Sequence, residues 1–123
     1  MEFISEAHAL LSQTVMLFFL LIGVWGIFEY MRGGELGGNI GGAFVIGQAL
    51  VTFQVLLGVI MVVSGTYAAD SVHYLYGISA IITLPFAWSY MRSRHPRQAL
   101  MVYSLLALFI FGLAIRGIIT GGG

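Results

Sequence analysis

The chain has 123 residues, 59% of them hydrophobic and only 8% charged, with a mean hydropathy of +0.98. A soluble domain carries roughly a quarter charged residues, so a set of five Arg, five acids and no Lys excludes most soluble classes. Zero net charge without a basic patch excludes a nucleic-acid footprint. The absence of Cys excludes disulfides, thiolate metal sites, iron–sulfur clusters and thioether-linked haem.

The charges leave four uninterrupted stretches, residues 7–28, 36–69, 71–91 and 98–115. A helix needs about 20 apolar residues to cross a bilayer, so the expectation is an all-α, integral membrane four-helix bundle forming one domain. Helix one is expected over about 3–31. Its leading segment has Glu2 and Glu6 but no basic residue, and its apolar run is too long for a secretory h-region, so helix one is expected to be retained. The glycine-rich segment 33–42 reads as a loop, since each Gly lowers helix propensity by about 1 kcal/mol. Helix two follows over about 43–64. Residues 65–70 make a short turn, with Asp70 or Ser71 as N-cap of helix three. Helix three spans about 71–91 and contains Pro85, which should kink it. Residues 92–97 are the next loop, with Pro96 suited to the first turn of helix four, about 97–120. Short connections favour antiparallel neighbours, hence up-down-up-down topology.

Arg32, Arg92, Arg94 and Arg97 fall on one side of such a bundle and only Arg116 on the other. Cytoplasmic loops are enriched in basic residues. Both termini are therefore expected on the extracytoplasmic side, in a bacterial inner (plasma) membrane, with the lipid bilayer as the first partner.

Ionisable residues within spans are functional candidates by default. His8 lies about one turn into helix one, His73 in the first turn of helix three, and Arg116 about one turn before the end of helix four. At a rise of ~1.5 Å per residue, all three reach a similar shallow depth near the outer face. Two imidazoles at matched depth can ligate one haem iron without any contiguous motif, and a guanidinium there suits haem propionates. Gly77, one turn beyond His73, leaves room for a flat ring. Gln54, in mid-span, seeks a hydrogen-bond partner or a bound ligand.

Each residue also has a structural reading. Gly47, Gly58, Gly65, Gly77 and Gly112 suit close helix packing. The two histidines and Tyr67, Tyr74 and Tyr76 suit an interfacial belt, and Arg116 can snorkel. Ser12 and Gln13 are candidates to orient His8. His95, among arginines, reads as solvated, and Glu29 with Arg32 as a surface ion pair of little energetic value. No HExxH, nucleophile–His–acid set or in-span carboxylate pair is present, so acid–base catalysis is not expected.

Gln54-Val55-Leu56-Leu57-Gly58, followed by Val72-His73-Tyr74-Leu75-Tyr76-Gly77, resembles the haem A synthase family of membrane cytochromes. That family is built from two four-helix halves, each with a QxLLG-like helix and a helix bearing an HLxxA-like haem ligand. The resemblance covers roughly residues 5–85. It implies His73 as one haem ligand, with Gly77 at the motif's small position. It also implies a second ligand on the helix before the QxLLG-like one, where His8 in Glu6-Ala7-His8-Ala9-Leu10-Leu11 loosely matches an EYxHR segment. The chain corresponds to one half, so haem A synthesis itself is not implied. The expectation is a small cytochrome b-like subunit binding haem b, exchanging electrons with a quinol (quinone) or with other membrane subunits of a redox complex. The competing expectation is a cofactor-free structural subunit of a respiratory or photosynthetic complex.

Overall fold

The computed structural model describes residues 2–121, and among them there are four helices and no strand. They are α1 (Glu2–Met31), α2 (Gly38–Val63), α3 (Val72–Met91) and α4 (Pro96–Thr120).

Two of the helix ends are set by glycine. Gly33 and Gly65 have φ of 87° and 92°, the left-handed region that a side chain disfavours. After α1, Gly33 N–H donates to Tyr30 O at 3.0 Å and Gly34 N–H to Glu29 O at 2.8 Å. After α2, Gly65 N–H donates to Val62 O at 3.0 Å and Thr66 N–H to Met61 O at 2.8 Å. Both are Schellman closures, which satisfy last-turn carbonyls that the helix itself leaves open.

The starts depart from expectation in two places. Helix α2 begins at Gly38 rather than near Ala43. Ile40 is 4% exposed and packs towards Gly26, so tertiary burial draws the glycine-rich stretch into the helix against its local propensity. At α3, Ser71 holds the N-cap position without a side-chain bond, and Asp70 Oδ1 instead accepts from Val72 N–H at 3.1 Å. Pro96 occupies the first turn of α4, and His95 Nδ1 accepts from Arg97 N–H at 3.1 Å.

The most extensive packing is between α1 and α4; α3 also packs on α4 and α2 on α1, while α2 meets α3 only sparsely. The core joins Val15, Phe19 and Ile22 to Phe44, Val51, Leu84, Leu100, Ala107 and Ile110. Close approach depends on glycine. A Cβ at Gly26 would overlap the Ser104 side chain, and one at Gly47 would lie 2.9 Å from the Phe19 ring. At one end of the bundle, Arg97 donates to Tyr30 O (2.9 Å) and Gly34 O (3.1 Å), and its guanidinium lies 4.0 Å from the Tyr30 ring centroid. Leu36 N–H donates to Pro96 O at 3.1 Å, so the segments leading into α2 and α4 are tied together.

Helix α3 runs on through Pro85. Proline has no N–H for the carbonyl four residues back, which here is Ile81. That carbonyl accepts from Gln48 Nε2 of α2 at 3.0 Å, so a side chain from the neighbouring helix replaces the missing donor.

Three helices, α1, α2 and α4, are long and apolar enough to cross a membrane. Large apolar side chains such as Leu21, Phe28, Val45, Phe53, Leu56 and Phe109 point outward. Such surfaces suit contact with lipid and make this a membrane protein by length and composition.

Candidate functional site

At the opposite end from Arg97, side chains from all four helices and the α2–α3 connection line a cleft of about 730 Å³. Its walls are mostly apolar, including Val15, Val51, Val55, Ile110 and Ala114. His8, Gln54, His73 and Gly77, four of the five sequence-predicted site residues, line it together.

His8 from α1 and His73 from α3 are direct neighbours, with ring centroids 6.2 Å apart and planes at 72°. The two rings are held differently. His73 Nδ1 lies 2.9 Å from Gly117 O, and because a carbonyl can only accept, Nδ1 is the donor, which in the neutral ring leaves the lone pair on Nε2. Thr120 Oγ1 is 3.4 Å from the same nitrogen and donates to Arg116 O at 2.7 Å. His8 Nδ1 is buried without a hydrogen-bond partner. The main chain of His8 is fixed, since Gln54 Nε2 donates to His8 O at 2.8 Å, whereas Gln54 Oε1 is buried and unpartnered. Gly58 makes space for the His8 ring, because a Cβ there would lie 3.3 Å from Cε1.

Arg116 takes a different place from its sequence-stated companions. It is exposed, does not line the cleft, and lies with its guanidinium 5.9 Å from the centroid of Tyr76, whose ring does line it. Ser12 and Gln13 do not orient His8, since the Ser12 hydroxyl turns back to Ala9 O and Gln13 is exposed. Among the glycines, Gly47 packs against Phe19, Gly65 serves a turn, and a Cβ at Gly77 or Gly112 would meet open space. His95 is exposed with Nε2 3.7 Å from Glu35 Oε2, and Arg32 pairs with Glu29 at 3.4 Å.

Three contributors escape the sequence reading. The Gly117 carbonyl partners His73, with a signal only in its place beside Arg116 at the right depth. Tyr74 Oη accepts from Ala68 N–H at 2.8 Å and so pins the α2–α3 connection at the rim of the cleft. Gln48 serves Ile81, and finding it requires knowing which helix faces Pro85.

The chemistry of the imidazole pair and the apolar lining suits an iron porphyrin. Two imidazoles on opposite sides of one metal, each bonded at about 2 Å with its ring centre roughly 1 Å behind the nitrogen, have centroids about 6 Å apart. The cleft volume lies within the usual range for a ligand site, about 300–1,000 Å³. Gly77 leaves free space beside His73. No known protein family, curated protein or solved structure matches the chain.

Proposed function

We propose that this chain is a four-span, up-down-up-down membrane bundle that binds one haem b through His8 and His73 and serves electron transfer within a larger redox complex. The observation that carries the reading is the 6.2 Å separation of two imidazoles from different helices, on the wall of an apolar cleft. The Gly117 bond to His73 Nδ1 supports it, since metal-bound histidines regularly give their second N–H to a carbonyl.

The topology is supported by which ends meet. His8 near the start of α1 neighbours Gly58 late in α2, His73 at the start of α3 neighbours Gly117 late in α4, and the two histidines neighbour each other. For α3 as a fourth span, 20 residues give ~30 Å at the helical rise, and Leu75, Ile78, Ile82 and Phe86 face outward. The four arginines at the other end favour a cytoplasmic position for that end and an extracytoplasmic one for the cleft and both termini of a bacterial inner-membrane protein.

In this reading haem, when bound, supplies one-electron chemistry. His73 and His8 hold it, Gly77 leaves its plane clear, and Gln54 fixes the main chain that carries His8. Arg116 lies outside the cleft over Tyr76, so no part in holding the haem is assigned to it. Electrons come from a quinol or from neighbouring membrane subunits, for which the outward apolar faces offer contact surface.

The test is a reduced-minus-oxidised absorption spectrum of the purified protein. The expected result is a b-type α-band that disappears when both His8 and His73 are replaced with Ala. Lack of the band in the unaltered protein, or its survival in that double variant, overturns the reading and leaves the cofactor-free structural subunit.

A further inference from the structure

Two imidazoles bound to one iron need not be bound equally, and the surroundings of these two differ in the feature that most affects ligand strength. A second-shell acceptor for the free N–H of a ligating histidine raises metal affinity by about 10- to 100-fold. His73 has that acceptor in Gly117 O, and its ring lies against the glycines at the end of α4, where a Cβ at Gly121 would come within 3.0 Å of Cε1. The α4 terminus is thus shaped around this ring and holds it in the tautomer that leaves Nε2 free. His8 lacks the equivalent. If Nε2 ligates, Nδ1 must carry the proton, and Nδ1 is buried with no acceptor. Gln54 does not supply one, since its bond goes to the His8 main-chain carbonyl while its own Oε1 remains unpartnered.

Resting on the haem reading above, we propose that His73 is the fixed ligand and His8 the exchangeable one, so that a small uncharged iron ligand can take the position of His8. The restriction to uncharged ligands follows from the lining of the cleft. No Lys, Arg, Asp or Glu among the described residues lines the cleft, so an anion entering it loses its hydration with no protein cation in recompense. The centre is then one that can bind a diatomic gas as well as pass electrons. Gln54 and Gly58 act as positioning residues for His8: one holds its main chain, and the other leaves room for its ring.

The experiment is a carbon monoxide titration of the reduced protein in detergent or nanodiscs, read in the Soret band, together with haem retention in His8→Ala and His73→Ala. Carbon monoxide is expected to shift the Soret band of the unaltered protein. His8→Ala should keep haem and bind carbon monoxide more tightly, by about 10-fold or more once the competing imidazole is gone, while His73→Ala should retain about 10- to 100-fold less haem than His8→Ala. A reduced spectrum unmoved by saturating carbon monoxide overturns the proposal, as does equal haem retention in the two variants. If His8→Ala does not fold, the titration of the unaltered protein still tests whether an imidazole can be displaced, and loss of haem in His73→Ala tests which of the two is the fixed one. Absence of haem from the unaltered protein is a distinct result, since it removes the functional reading itself and this inference with it.

Discussion

The pairing of Gln48 with the carbonyl that Pro85 leaves open can be tested quantitatively. Gln48→Leu keeps bulk and helix propensity but removes the donor to Ile81 O. A buried acceptor left without a partner costs about 1–3 kcal/mol. The same substitution also deletes Gln48 Oε1, which is itself buried and unpartnered, and so regains an amount of similar size. The single variant is therefore expected to change stability little. The informative quantity is the coupling with Pro85→Ala, which restores an N–H to Ile81 O from within α3. In that background Gln48→Leu no longer strands Ile81 O; its loss of the bond to Thr52 Oγ1 (3.2 Å) and of the orphaned oxygen is common to both backgrounds and cancels in the cycle. The coupling energy of the cycle is thus expected at about 1–3 kcal/mol. Unfolding by a denaturing detergent, followed by far-UV circular dichroism on all four proteins, measures it. Additivity within about 0.5 kcal/mol would refute the assignment of Gln48 as a substitute donor.

Further outcomes follow from the same geometry. Gly26→Ala sets a Cβ against Ser104, whose own Cβ would be 2.8 Å away, so rotation of the hydroxyl cannot relieve the contact. We expect a loss of about 1–3 kcal/mol in the same unfolding assay, recovered when Ser104→Gly is added. Gly77→Ala meets open space and should leave folding and haem content unchanged, whereas Gly77→Leu should fold, by circular dichroism, and lose haem because its side chain fills the cleft. Since the chain has no Cys, Arg94→Cys gives a single-thiol reporter without further changes. An impermeant maleimide added outside intact cells should leave it unlabelled, and labelling from outside contradicts the orientation.

The four helices could be read from charge-free stretches because a helix that faces lipid tolerates almost no charge along its length. The onset of α2 could not, because Gly38, Gly41 and Gly42 oppose helix locally and only the burial of Ile40 beside Gly26 decides the outcome. Depth counting along the helices brought His8 and His73 to one level, and they are neighbours in the fold. Rotation about a helix axis is a different matter. Arg116 has the depth of its companions, yet faces outward over Tyr76, and nothing in the sequence indicates which face of α4 meets the cleft. Gln48 and Gly117 were equally hidden, since one acts on a helix whose position must be known and the other acts through its main chain.

The central proposal is that His8 and His73 would together hold one haem b. Haem content per chain, measured as the pyridine haemochrome on protein purified from its membrane, tests this most directly. The account predicts one b-type haem per polypeptide, falling to none when both histidines are replaced with Ala in a protein that remains helical. A preparation that is folded and free of haem would contradict it.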